Sequence, residues 1–190
     1  MKIFFILLFG LIIGCFHAKA QVIPNYNPYS TMTPTELEAY RQSIWNTLPA
    51  AVGWVNDFEG LFSNKEEDSL ERKINHLEKV TSIEIAIVTV DSNMVEGEEF
   101  NRLTDRLLKE WGIGKKSKSN GIVICISKDY RKLFISCDFG IDKYMDKDEK
   151  NKIINKYIIP YYQKDKYFTG TLNGLNAIID EINKKKDRYN

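Results

Sequence analysis

Two stretches of this chain are nearly continuous runs of apolar, mostly β-branched residues: Ile83 to Val90 (IEIAIVTV) and Gly121 to Ser127 (GIVICIS). A strand with one wet face alternates apolar and polar residues, so runs like these belong to strands buried on both faces. Between them, Phe100, Leu103, Leu107 and Trp111 recur at helical spacing, and Gly112 ends the pattern. A helical crossover between two strands of one sheet makes them parallel and the connection right-handed. A third strand, Leu133 to Asp138, follows after the polar turn Lys128-Asp129-Tyr130-Arg131, which makes an antiparallel hairpin with the second. The fold class is therefore α/β: a three-layer α/β/α sandwich around a small mixed β-sheet.

Helices supply the outer layers. Thr33-Pro34-Thr35-Glu36 is a capping box with Pro at the first helical position, opening a short helix to about Thr47 before Pro49. Ser63-Asn64-Lys65-Glu66 is a second capping box, followed by Leu70, Ile74 and Leu77. Asp146 starts a helix carrying Ile153, Ile154, Tyr157 and Ile158, with Pro160 as its expected terminator, and Leu172, Leu175, Ile178, Ile179 and Ile182 mark the last. Val52 to Phe62 (VGWVNDFEGLF) mixes apolar and turn residues and reads as an ordered entry segment, not as a strand of the sheet. In the hairpin register Cys125 lies opposite Phe134 and Cys137 opposite Ile122, on opposite faces of the sheet. That separation, about 10 Å along the strand, is beyond disulfide reach, so both are expected as free thiols.

The N-terminus has the three parts of an export signal in order: Lys2, the apolar stretch Ile3 to Phe16, and Ala18-Lys19-Ala20 before Gln21. The apolar stretch is shorter than the ~20 residues needed to span a bilayer. A competing lipoprotein cut at Ile12-Ile13-Gly14-Cys15 would leave Cys15 lipidated. The expected organisation is a signal peptide over 1–20, a linker and short helix over 21–51, an α/β domain over 52–186 and a polar tail over 187–190. The expected location is periplasmic or extracellular, with no transmembrane segment after cleavage. Removing Lys2 and Lys19 takes the basic residues from 27 to 25 against 26 acidic ones. Such a balance argues against nucleic acid as a partner. The run Lys184-Lys185-Lys186 reads as a solvated helix end.

Enzyme signatures are sparse. There is no P-loop, no G-x-S-x-G and no Cys-x5-Arg loop, and His76 is the only histidine after the signal, at a polar helical position. The topology brings Asn120-Gly121, Asp138 and the turn Gly140 to Asp142 to one edge of the sheet. These are oxygen donors only, which suit a hard cation such as Ca²⁺ and not zinc. The same residue types also serve as ordinary turn residues that hydrogen-bond their own backbone. Asp91, Ser92, Asn93 and the Asp129-Tyr130-Arg131 turn belong to the opposite edge and read as solvated surface. A third reading gathers Trp45, Trp54, Tyr26, Tyr29, Tyr161, Tyr162 and Tyr167 into a protein-binding patch.

Val55-Asn56-Asp57 with Gly60-Leu61 and Ser63, then Trp111-Gly112-Ile113-Gly114-Lys115 and Asn120-Gly121, resemble the signatures of the TPM-domain family. The likeness continues through Phe139-Gly140-Ile141-Asp142, Pro160, Gly170 and Gly174, and covers Val52 to Ile182. It implies an extracytoplasmic α/β/α module with accessory or assembly roles beside an envelope protein, calcium binding in some members, and an acid phosphatase activity claimed for one. It also adds Asp57 to the oxygen edge, so the candidate metal ligands are Asp57, Asn120, Asp138 and Asp142. The sequence departs from the family pattern at Ser119, where the family usually has an acidic residue, at Asp138, and at Lys147. The expected function is a binding or accessory module of the cell envelope, with a metal-assisted acid phosphatase as the rival. Intact-mass analysis of the exported protein should show Gln21 as the first residue; a diacylglyceryl adduct on Cys15 would instead make it a lipoprotein.

Overall fold

The computed structural model describes residues 32–115 and 117–189. The segment read as signal and leader, with Cys15, Tyr26 and Tyr29, lies outside the described residues.

The sheet has four strands: β1 (Val55–Asp57), β2 (Glu84–Thr89), β3 (Gly121–Ser127) and β4 (Lys132–Cys137), in the spatial order β1-β2-β3-β4. β2 pairs parallel with β3 from Glu84↔Gly121 to Thr89↔Ile126, and β3 pairs antiparallel with β4. Cys125 faces Phe134 and Cys137 faces Ile122 across the hairpin, and both cysteines are free. They belong to opposite layers, and burial pushes each thiol up to about 12.

Each face of the sheet carries its own apolar layer. Ile85, Ile87, Ile122, Ile124 and Ile126 meet Leu70, Ile74 and Leu77 of α2 (Asn64–Thr81) and Leu175, Ile178 and Ile182 of α6 (Tyr167–Tyr189). The intervening side chains, Ala86, Val88, Val123 and Cys125, meet Phe100, Leu103, Leu107 and Leu108 of α3 (Phe100–Glu110). A fully buried Leu, Ile or Phe contributes about 1.5–3 kcal/mol relative to exposure. These near-continuous apolar strands therefore require helices on both sides, and the three-layer arrangement follows.

The helix starts are local. Thr33 and Glu36 close a reciprocal capping box at α1 (Pro34–Asn46), with the Thr33 amide donating to Glu36 Oε2 at 2.7 Å. Ser63 donates its amide to Glu66 Oε2 at 2.8 Å, and Asp146 Oδ1 accepts from the Glu149 amide at 2.9 Å to open α4 (Lys147–Ile153). No residue of α1 is fully buried. It is fastened to the α3 layer by Arg41, which donates to the Ser92 carbonyl at 2.8 Å, and by Trp45, whose ring lies 4.4 Å from the Arg102 guanidinium and 4.7 Å from that of Arg106.

Three expectations are corrected. The entry segment does contribute a strand: Val55–Asp57 adds to the sheet edge in parallel, with Val55↔Ile87 and Asp57↔Thr89. Its polar residues are accommodated because Asn56 accepts from the Val52 amide at 2.7 Å, while Glu71 Oε1 of α2 accepts from the Trp54 and Val55 amides at 2.5 and 2.7 Å. Pro160 does not terminate its helix. A proline inside a regular helix clashes with the carbonyl four residues back; here a π turn over Ile154–Ile158 precedes it, and helix resumes as α5 (Ile159–Tyr162). The basic run Lys184-Lys185-Lys186 is not wholly solvated: within α6, Lys185 is a half-buried ion-pair partner of Glu149 and Glu181 at 3.1 and 3.2 Å.

Gly114 and Gly121 are backbone against backbone. Gly114 has φ +95°, and a Cβ on Gly121 would fall 2.0 Å from the Ile113 carbonyl oxygen, an atom that cannot swing aside. Gly121→Ala should therefore lower stability by about 1–3 kcal/mol, as overpacking does. Urea denaturation should show a reduced midpoint at an unchanged slope.

Candidate functional site

The two edges of the sheet differ in chemistry. At the edge where β2 and β3 begin, Asn120 is buried, its Oδ1 accepting from the Lys115 amide at 2.8 Å and its Nδ2 donating to the Ser82 carbonyl. Asp138 Oδ2 accepts from the Gly121 amide at 3.1 Å, and the Asp138 amide returns a bond to the Gly121 carbonyl at 2.9 Å. Glu84 Oε2 accepts from Gly114 at 2.7 Å. A short 3₁₀ turn, Phe139–Ile141, follows; a Cβ on its Gly140 would lie within 2.4 Å of the Lys118 and Ser119 carbonyl oxygens. Asp142 closes that turn and is exposed.

Asp57 is not at this edge. Because β1 is parallel to β2 and Asp57 pairs with Thr89, it sits where the strands end. Thr89 is five residues beyond Glu84, so Asp57 lies about 17 Å from the Asn120 end of the sheet at ~3.3 Å per residue. Asn120 and Asp138 do meet around Gly121, whereas the set Asp57, Asn120, Asp138 and Asp142 is divided between two edges. Among the described residues no group of three or more His, Cys, Asp or Glu is placed to hold a metal ion. The residues named for Ca²⁺ do not fit one cation as a set.

The far edge is a set of carboxylate staples. Asp57 Oδ1 accepts from the Leu61 amide at 3.0 Å and from the Thr89 hydroxyl, and its Oδ2 accepts from the Phe62 amide at 2.7 Å. Glu59 reaches across the sheet to the hairpin turn, where its two oxygens accept from the Lys128 and Asp129 amides at 2.8 and 2.9 Å. Asp129 Oδ2 accepts in turn from the Ser92 amide at 3.0 Å and its hydroxyl at 2.7 Å. Beside them a cleft of about 440 Å³ is lined by Ser127, Arg131, Tyr162, Asp165 and Tyr167.

Glu59 is the residue that sequence reasoning passed over. It lies two positions past a strand that was not recognised as one, at the carboxyl end of parallel strands where α/β sheets often place their sites. His76 is exposed. The aromatic set is dispersed: Trp45 belongs to the α3 layer, while the Tyr162 and Tyr167 rings meet at a tilt of 46° with centroids 4.8 Å apart on the other face.

A mixed four-stranded sheet between two helical layers, with its edges closed by carboxylate–amide bonds, defines a small α/β/α domain. The family model TPM phosphatase (TPM domain) matches residues 55–181, and the chain belongs to the TPM-domain family. Among solved structures, the N-terminal domain of a protein from P. gingivalis is similar at TM-score 0.64 and 23% identity, over 70% of this chain and 84% of that one. BA42 protein from the psychrophilic bacterium Bizionia argentinensis is similar at TM-score 0.58 and 18% identity, over 67% and 86%. The N-terminal domain of cg2496 protein from Corynebacterium glutamicum is similar at TM-score 0.52 and 14% identity, over 73% and 83%. No curated protein matches. At these identities the likeness is one of fold. No helix among the described residues is long and apolar enough to cross a membrane.

Burial pushes the Glu59 carboxyl up to about 7; the Lys128 and Asp129 amides pull it down, and the Asp129 and Asp91 carboxylates add to the rise. A carboxyl whose pKa is raised in the folded state binds more protons there than in the unfolded chain between its ordinary value and the raised one. Its contribution to stability is therefore complete below the ordinary value and is lost as pH rises through about 7. Glu59→Gln offers one oxygen to two amides and should lower the melting midpoint overall. The diagnostic is the slope: the fall in midpoint between about pH 5 and pH 8 should be smaller in the variant than in wild type.

Proposed function

We propose that this domain is a binding or accessory module of the cell envelope that engages a protein partner through the turn Phe139–Asp142. The observation that carries this reading is Phe139, which is 87% exposed on a turn whose neighbours are fixed. Asp138 is bonded to Gly121, Ile141 is completely buried, and Gly140 lies against the Lys118–Ser119 backbone. A large aromatic side chain presented on such a seat loses little conformational freedom when it enters a partner's pocket, which is how aromatic anchors come to dominate interfaces. Export, expected from the N-terminal signal, would set this turn among envelope proteins.

The rival reading, a metal-assisted acid phosphatase, requires carboxylate oxygens turned toward a cation and a phosphoryl group. Asp57 directs both of its oxygens to Leu61, Phe62 and Thr89, and Glu59 directs both of its own to Lys128 and Asp129. This arrangement supports a structural use for the acidic edge and favours the binding module.

Phe139→Ala should leave the melting midpoint essentially unchanged, since the side chain is in solvent. It should weaken capture of the envelope partner by about 30-fold, the equivalent of ~2 kcal/mol for an aromatic hot spot. Val52→Ala, at another residue that is 81% exposed, is the control and should bind like wild type. Equal capture by all three proteins overturns the reading, as does phosphomonoester turnover abolished by Asp57→Asn.

A further inference from the structure

β4 borders the sheet, and its outward backbone groups have no partner in the fold. The Asp138 amide donates to the Gly121 carbonyl at 2.9 Å. Alternation along an antiparallel pair then turns the amides and carbonyls of Lys132, Phe134 and Ser136 toward β3, and those of Leu133, Ile135 and Cys137 away from it. No hydrogen bond joins these outward groups to another described residue. At the opposite border Glu71 covers the Trp54 and Val55 amides. β4 is open at its start, where Lys132 is exposed and Leu133 and Phe134 are half-buried; Ile135 and Ser136 beyond them are buried. An uncovered edge of this kind is a template for a second extended backbone.

The cleft of about 440 Å³ begins at the same residue. Leu133, Ile159 and Tyr162 give it an apolar side, and the exposed Arg131, Lys132 and Asp165 charge its mouth. Its volume lies in the range of built binding sites, ~300–1,000 Å³. The side chain of a residue paired with Leu133 would fall on the same face of the sheet as Leu133 itself, since directly opposed residues share a face. That face is the one the cleft occupies, so one bound segment can use both the edge and the cleft.

Charge selects the end of the segment. Exposed Lys164 and Lys166 flank Asp165 in the chain, and the Lys128 ammonium lies 5.6 Å from the ring centroid of Tyr167, which also lines the cleft. Lys128, Arg131, Lys132, Lys164 and Lys166 thus outnumber the Asp165 carboxylate. The nearby Glu59 and Asp129 direct their oxygens to backbone amides. Lys132 donates to the Gly97 carbonyl, whereas the Arg131 guanidinium has no hydrogen bond or ion pair among the described residues. Arg131 also holds a left-handed backbone, φ +50°, at the end of the hairpin turn. Glycine adopts that conformation without strain and a long side chain does not, so an arginine is kept here against the preference of the turn.

An edge that accepts an extended backbone, an apolar cleft beside it and an unpaired guanidinium at its mouth are the parts of a site for a chain terminus. We propose that β4 and the adjoining cleft bind the C-terminal end of a partner polypeptide. The peptide runs antiparallel to β4 and pairs with Leu133, its large apolar last residue sits against Leu133 and Ile159, and its terminal carboxylate meets Arg131. The direction follows from the charge: Arg131 precedes β4, and an antiparallel peptide ends where β4 starts. The site is at the other end of β4 from the Phe139 turn and does not depend on it.

The test is an NMR titration of the exported protein with a hexapeptide ending in Leu and bearing a free carboxylate. The same peptide with a C-terminal amide, the same peptide ending in Asp, and inorganic phosphate serve as comparison probes. The backbone amide signal of Leu133 should shift and saturate with a Kd of about 0.1–1 mM for the Leu carboxylate peptide. The amidated peptide and the Asp peptide should each bind at least about tenfold more weakly. Arg131→Gly relieves the left-handed backbone, so its melting midpoint should equal or exceed that of wild type while its affinity for the Leu peptide falls about tenfold. Phe139→Ala should bind the peptide like wild type. The proposal fails if the Leu peptide gives no saturable shift up to about 10 mM, or if Arg131→Gly binds it normally. Equal binding of the amidated peptide removes the carboxylate from the site, and equal response to phosphate leaves a simple anion site; either result overturns it. A Leu133 signal that moves with protein concentration alone assigns the edge to a second copy and overturns it too.

Discussion

Strand β3 is buried along its whole length and on both faces, and the rest of the structure depends on that. A strand without a wet side needs a helical layer above and below it, and its ends need turns that remain inside the protein. The start of β3 is therefore crowded: Gly121 lies under the Ile113–Gly114 backbone and also pairs with Asp138 from the return strand. Its end is crowded in another way, with the following turn held by Glu59 from beyond β1.

Carboxylates carry much of this closure. Glu71 covers the amides of the edge strand, Asp57 fixes the turn after it, Glu59 ties that turn to the hairpin and Asp138 holds the opposite end. Each satisfies backbone donors that a short sheet would otherwise leave open.

The hairpin register, the parallel pair β2–β3, the helix caps at Thr33, Ser63 and Asp146 and the two free cysteines were all legible in the chain. Capping depends on residues three positions apart, and burial on both faces leaves an unbroken apolar run. The edge strand was not legible, because Val55-Asn56-Asp57 has neither alternation nor an apolar run. Its pairing partner is more than thirty residues away, and its exposed amides are satisfied by a glutamate on a different element. Missing that strand moved Asp57 to the wrong edge and hid Glu59 altogether.

What the sequence by itself determined is the layered α/β architecture and the family, through apolar periodicity and a glycine-rich loop whose close backbone contact tolerates no side chain. What only the tertiary structure decided is which polar residues meet. Asn120 and Asp138 converge while Asp57 stands a strand length away, and Tyr157 and Tyr161 from one helical element line a groove with Asn173 and Asn176 from another. Periodicity records whether a position faces the core, a property repeated along one element. The meeting of side chains from different elements depends on strand order, helix phase and hydrogen bonds between residues far apart in the chain, and these exist only once the layers have packed.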